Sequence, residues 1–205
     1  VKFDKLDDIN LNNLLQEQFQ TADKAFNQFI SEEYISLISS EESKHLFTPS
    51  TIRNNLIDNL KQGEKGILII MDCLRSDQWK SMSNSLFSDF KIRTHYQSAI
   101  IPSTTFYSRN AIFSGLFPLD LYNQNSKIYN KMIESESNYN KFEHELLKEQ
   151  LHRYNLDNVS NSYIKVSSYE YGKSLAKNIK NFKNIDLLCI VVNFIDILAH
   201  SRSES

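Results

Sequence analysis

The sequence predicts an α/β fold: a three-layer α/β/α arrangement with a mostly parallel sheet, preceded by a small helical bundle. Three observations predict it. Two runs, Gly66–Asp72 (GILIIMD) and Leu187–Asp196 (LLCIVVNFID), are almost wholly apolar and each ends on an acid. Such runs suit strands covered on both faces, as in parallel sheets. After residue 65 the chain alternates strand-like and helix-like segments, the pattern of parallel strands joined by crossovers. Before Gly63 only helical periodicity is present.

Taken in order, residues 1–62 form a helical linker or bundle. Leu11, Leu14, Leu15, Phe19, Ala22, Phe26, Phe29 and Ile30 recur at spacings of three and four, and Tyr34, Ile35, Leu37 and Ile38 extend the stripe. Thr48-Pro49-Ser50 is a helix entry, Ile52, Leu56, Ile57 and Leu60 supply a short third helix, and Gly63 suits its C-cap. The first strand is residues 66–72. Ser76–Phe87 has helical spacing, Lys91–Ala99 reads as a half-exposed strand, and Thr104–Phe113 reads as a helix stopped by Gly115 and Pro118. Residues 119–140 are polar, a loop or short helices over the surface. Tyr139–Tyr154 is a helix, Tyr163–Val166 a short strand, Ser168–Phe182 a helix, and Leu187–Ile195 the second apolar strand.

The 205 residues suffice for one α/β domain and a small helical piece. A net charge of -2 offers no basic face for duplex DNA and no polybasic membrane surface. No apolar run reaches the ~18 residues that span a bilayer, so no membrane insertion is expected. Cys73 and Cys189 lie in or beside apolar runs and read as buried, reduced thiols of a cytoplasmic protein. The chain begins at Val1 and ends in SRSES directly after an apolar run, as expected of a piece cut from a longer protein at both ends.

The chemistry gathers at strand ends. Ligands of open α/β sheets bind beyond the carboxyl ends of the strands, where Asp72 and Asp196 fall. Each is a metal ligand, or else a helix cap or the partner of Arg75 or Arg202. Asp196 and His200 are four residues apart and face one direction if the chain turns helically after the strand; carboxylate plus imidazole suits zinc. Thr105 falls at a helix start, where backbone N–H groups attract an anion. Near a metal its hydroxyl is a candidate nucleophile; otherwise Thr104 or Thr105 simply caps the helix. One turn on, Arg109 could reach a phosphate oxygen or pair with Asp72 or Asp77. Asn110 could bind the same anion or pack. His45, His144 and His152 read as surface residues. There is no glycine-rich phosphate loop among the four glycines.

Three segments together, ILIIMDCLRSDQW, IPSTTFYSRNAIFSGLFP and VVNFIDILAHSRSES, resemble the PglZ domain of the alkaline phosphatase superfamily, most closely as carried by PorX-type two-component response regulators of Bacteroidetes. The similarity covers about residues 64–205, the N-terminal part of such a domain, truncated at its C-terminus. Residues 1–62 resemble by position the linker that follows a receiver domain. The resemblance implies an alkaline-phosphatase-like fold and a zinc-dependent phosphodiesterase or phosphatase acting on nucleotide or oligonucleotide phosphoesters. It implies Thr105 as catalytic nucleophile, Asp72 and Thr105 on one zinc ion, Asp196 and His200 on a second, and Arg109 and Asn110 at the substrate. The superfamily's remaining Asp-His and His ligands would follow Ser205, so little activity is expected of this piece alone. It further implies an N-terminal receiver domain, a sigma factor or type IX secretion regulator as partner, and a homodimer. The alternative is a non-catalytic signalling module that binds a protein partner under control of the phosphorylated receiver.

Overall fold

A computed structural model of the chain describes residues 9–44, 46–135 and 140–197. The chain divides into two compact units, Val1–His45 and Leu46–Ser205. In the first, a single helix α1 (Ile9–Ser39) runs for 31 residues and is followed by one turn, α2 (Glu41–Lys44). Nothing in its sequence interrupts α1, which contains neither glycine nor proline. The junction is tied by the Ser43 hydroxyl, which donates to the Leu37 carbonyl at 2.7 Å. The predicted stripe is present, but Leu11, Leu14, Phe19, Phe26, Phe29 and Ile35 are exposed. Among the described residues of this unit no bundle forms, because the one-turn α2 is too short to cover the stripe of α1.

The second unit opens with a 3-10 turn, Thr48–Ser50, and a helical stretch that includes a π segment, Arg53–Ile57, and α3 (Asp58–Lys61). Gly63, at φ 79°, ends it as expected. Ile52, Ile57 and Leu60 are buried in this unit's main core. The expected third helix of an N-terminal bundle thus packs as part of the α/β unit.

Strand β1 (Gly66–Met71) follows, then α4 (Ser76–Ser83), α5 (Thr105–Ser114), α6 (Pro118–Gln124), α7 (Ser126–Glu134) and α8 (Glu143–Arg153). Strand β2 (Asn161–Val166), α9 (Tyr169–Asn178) with a 3-10 turn Ile179–Phe182, and β3 (Leu187–Val192) complete the order. The three strands form one parallel sheet, β1-β3-β2. Gly66, Leu187 and Asn161 are level at one end, and Met71, Val192 and Val166 at the other. All three carboxyl ends therefore open on the same side.

The alternation of side chains along β3 divides the core. Leu187, Cys189 and Val191 join Phe113, Leu146, Leu147 and Leu151 on one face, while Leu188 and Ile190 join Ile164, Val166, Leu175 and Phe182 on the other. β1 departs from expectation. Leu68 and Ile70 reach the first core, but Ile67 and Ile69 are 58% and 56% exposed. Among the described residues, the apolar run predicted as a strand covered on both faces is covered on one, so they do not form three complete layers across the whole sheet. The predicted strand over Lys91–Ala99 is also absent: the stretch is irregular and largely exposed, and only Ser98 bridges, to Phe47. Its segment KIRTHYQ offers a single aliphatic residue, too little apolar surface for a ladder against the sheet. Residues 119–140, predicted as loop or short helices, contain α6 and α7.

Candidate metal centre

Asp72 is the first residue beyond β1, and its N–H donates to the Val192 carbonyl of β3 at 3.0 Å. The chain then turns sharply. Cys73 adopts φ 59°, a left-handed conformation uncommon for residues with a β-carbon. The counterpart beyond β3 is a helical turn over residues 194–197, closed by the Ile197 N–H on the Asn193 carbonyl at 3.1 Å. Asp196 sits on that turn. The Cys73 thiol donates to Asp196 Oδ1 at 2.8 Å. One ligand atom from each of Asp72, Cys73 and Asp196 lies within 4.8 Å of the others. Two strand ends thus bring together residues 123 positions apart in sequence.

The donor chemistry fits a divalent cation. Two carboxylates supply charge and hard oxygen ligands, and a thiol beside them favours zinc among the divalent ions. Without an ion the thiol is held protonated. Its hydrogen bond to Asp196, partial burial and the charges of Asp196 and Asp72 push it up from 9.0 to about 11. A cation at this point would oppose those charges.

Sequence reasoning took Cys73 as a buried thiol; it is exposed and belongs to this cluster, whereas Cys189 is buried in β3 and pushed up to about 12 by that burial. The signal was its position, immediately after the acid that ends β1. His200 lies outside the described residues. Asp77, one of the partners considered for Arg109, pairs instead with Arg75 at 2.6 Å on the surface.

Thr105 is the first residue of α5 and half-buried. Thr104, its N-cap, is extended and makes no side-chain capping bond. The Thr105 carbonyl accepts from Asn140 Nδ2 at 3.3 Å. One turn on, Arg109 is only 4% exposed. Of its two expected roles the structure displays the pairing: Nη1 donates to Asp72 Oδ2 at 3.1 Å. Its other edge grips Glu143, with Nε to Oε1 at 2.7 Å and Nη2 to Oε2 at 2.6 Å. Burial disfavours the guanidinium charge, but Glu143 and Asp72 outweigh it and raise the Arg109 pKa. Asn110 is buried too and donates to the Phe106 carbonyl at 2.7 Å.

Glu143 was missed. It is fully buried, and the Tyr163 hydroxyl donates to its Oε2. Burial and the adjacent Glu143 carboxylate push the Tyr163 phenol well above its usual range. A signal did exist. On α8 the buried positions are Glu143, Leu146, Leu147, Gln150 and Leu151, so the acid occupies the apolar stripe itself. A charge there requires a buried partner. His144, expected at the surface, is half-buried, stacks on Tyr163 with ring centroids 6.0 Å apart and meets Asn161 Oδ1 at 2.9 Å. His152 is exposed, as expected, beside Asp157.

The parallel sheet thus gathers acidic side chains beyond its carboxyl ends, and Arg109 of α5 reaches one of them. Residues 52–205 match the family described as the BREX system PglZ alkaline phosphatase-like domain, and the chain belongs to that family. No curated protein matches it. The match takes in the helical stretch from Ile52 that packs into the α/β unit, so it begins before the expected start near residue 64.

Proposed function

We propose that this domain is a metal-dependent phosphodiesterase or phosphatase with Thr105 as nucleophile, acting on nucleotide or oligonucleotide phosphoesters. The convergence of Asp72, Cys73 and Asp196 beyond β1 and β3 carries this reading. Asp72 and Asp196 would hold a divalent cation, with Cys73 as a further donor; His200, which the family resemblance pairs with Asp196, lies outside the described residues. Zinc is the ion the family resemblance favours, with two ions expected in the whole protein. When bound, the cation supplies Lewis acidity for oxygen atoms at the centre.

The chain's own residues supply the rest. The first turn of α5 presents backbone N–H groups to an anionic phosphoryl group, and Thr104 does not cap them with its side chain. The Thr105 hydroxyl gives its proton to solvent as its Oγ forms a bond to phosphorus. The ester P–O bond breaks, and the departing oxygen takes a proton. Water then attacks phosphorus and the Thr105 Oγ–P bond breaks; one water proton restores the hydroxyl, and the product is a phosphomonoester from a diester substrate or phosphate from a monoester. Asn110 supports the segment that presents Thr105 by holding the Phe106 carbonyl. The quoted motifs also support an output role in a response regulator, with a receiver domain upstream and a sigma factor or secretion regulator as partner.

The test is hydrolysis of bis(p-nitrophenyl) phosphate by the full-length protein with zinc. Thr105→Ala should lower turnover on the order of 10³-fold or more while the circular dichroism spectrum persists. Undiminished hydrolysis by that variant would remove Thr105 from the mechanism. Zinc binding without any hydrolysis by the wild-type protein would favour the non-catalytic signalling module.

A further inference from the structure

Four elements contribute to one buried polar chain. Tyr163 on β2 donates to Glu143 at the start of α8, Glu143 accepts two hydrogen bonds from one edge of Arg109 on α5, and the remaining terminal nitrogen of Arg109 donates to Asp72 beyond β1. Glu143 is 0% exposed and the Asp72 side chain 13%. The phenol ring is itself fixed between Phe113, edge-on at 5.5 Å, and the stacked His144.

The bidentate pair removes most of the freedom of the Arg109 guanidinium. Because the fork is planar, locking Nε and Nη2 on Glu143 also sets where Nη1 points. That nitrogen meets Oδ2 of Asp72, and pinning one carboxylate oxygen sets the plane in which the other is presented. Asp72, like Cys73, lies on the turn after β1 and has no helix of its own to orient it. Arg109 also follows Thr105 by one turn on the same helix, so the contact ties the start of α5 to the end of β1.

We propose that Glu143 is a positioning residue for the cation site: acting through Arg109, it orients the Asp72 carboxylate toward Cys73 and Asp196. This rests on Asp72 being a ligand, as proposed above. Partners behind metal-ligating side chains typically change affinity 10–100-fold when altered.

The test is titration of the metal-free protein with Co²⁺ alone, followed by its visible absorption and by competition with zinc. Asp72→Asn should abolish or sharply weaken binding. Glu143→Gln keeps the side chain's shape but removes its charge and one acceptor. It should weaken Co²⁺ roughly 10–100-fold and alter the absorption bands, which report coordination geometry. Tyr163→Phe, which removes one hydroxyl behind Glu143, should shift affinity in the same direction by about threefold or more, and it carries the test if Glu143→Gln does not fold. A merely structural pair would leave the Co²⁺ spectrum of every folded variant unchanged. Wild-type affinity and spectrum in folded Glu143→Gln, or in Tyr163→Phe where the former does not fold, would overturn the proposal while Asp72→Asn still loses binding. Unchanged binding in Asp72→Asn would instead overturn the reading of Asp72 as a ligand, and the proposal with it.

Discussion

Replacing Arg109 with methionine separates two roles for this residue, a phosphate-binding arginine and a buried tie between Glu143 and Asp72. Methionine approximates the length of the aliphatic stem and carries no charge. In the structure the guanidinium is 4% exposed and Glu143 is 0% exposed, so Arg109→Met strands a carboxylate with no access to water. Removing one partner of a buried pair costs about 3–5 kcal/mol, chiefly from the charge left behind. For an unfolding slope of about 2 kcal/mol per molar urea, the midpoint falls by roughly 1.5–2.5 M. The loss should appear without substrate, phosphate or metal in the buffer. A phosphate-binding arginine at an open site would instead leave unfolding within about 0.5 kcal/mol of wild type and act on KM alone.

The double variant Arg109→Met/Glu143→Leu sharpens the result. With both charges gone their desolvation penalty disappears, and replacing a buried pair with apolar residues is often close to neutral. Two groups then lose a partner: the Tyr163 hydroxyl, within the core, and Asp72, whose side chain is 13% exposed and keeps some access to water. A buried hydroxyl without an acceptor costs about 1–3 kcal/mol, so the double variant should regain part of the stability lost by the single one. Urea unfolding followed by circular dichroism measures both. A single variant within about 0.5 kcal/mol of wild type, or a double variant no more stable than the single, would refute the assignment of Arg109 as a buried tie.

Two further outcomes follow from local geometry. Gly115 caps α5 at φ 67°, and an added β-carbon would lie 2.4 Å from the side-chain amide of buried Gln150. With its nitrogen turned toward them, that amide donates to the Ile112 and Phe113 carbonyls, so it cannot move cheaply. Gly115→Ala should destabilise by about 2–5 kcal/mol, the sum of left-handed strain and overpacking, and calorimetry of Gly115→Ala against Gly115→Ala/Gln150→Ala should show the second component alone relieved. Cys73, with its thiol pushed up to about 11, should react slowly with iodoacetamide in metal-free protein despite its exposure. Since the thiolate is the reactive form, its rate should rise tenfold per pH unit up to about pH 11. Asp196→Asn removes the main cause and should move that rise to lower pH; a profile that stays in place would show that Asp196 does not hold the thiol.

How far the fold can be read from the sequence depended on what each element had to satisfy by itself. β1 and β3 announced themselves because their apolar runs are contiguous, and α5 because Gly115 and Pro118 stop it. Gly63 marked its helix end in the same way. Lys91–Ala99 failed because a half-exposed strand and an extended loop share a composition, and only a pairing partner tells them apart. The cover on β1 failed for a related reason. An apolar run records that a face can be buried, not that a neighbour is present to bury it. Ile67 and Ile69 face the side on which α9 and Phe182 cover β2 and β3, and that cover does not reach them.

The candidate centre divides along the same physical line. The placement of Asp72 and Asp196 beyond the carboxyl ends of β1 and β3 was legible because the two apolar runs mark the strands that each acid follows. Cys73 was not, because a thiol beside an apolar strand has two ordinary fates, and the left-handed turn that swings it toward Asp196 leaves no mark in residue type. Arg109 and Glu143 are the informative case. An arginine one turn after a candidate nucleophile suggests an anion site, and that inference took no account of what else the arginine would meet. An acid on the apolar stripe of α8 raises the competing demand, since a buried carboxylate needs a cation more stringently than a solvated phosphate does. Within one core the buried acid has first claim on the guanidinium. The contact left over, to Asp72, is then the means by which the interior of the domain reaches the proposed cation site.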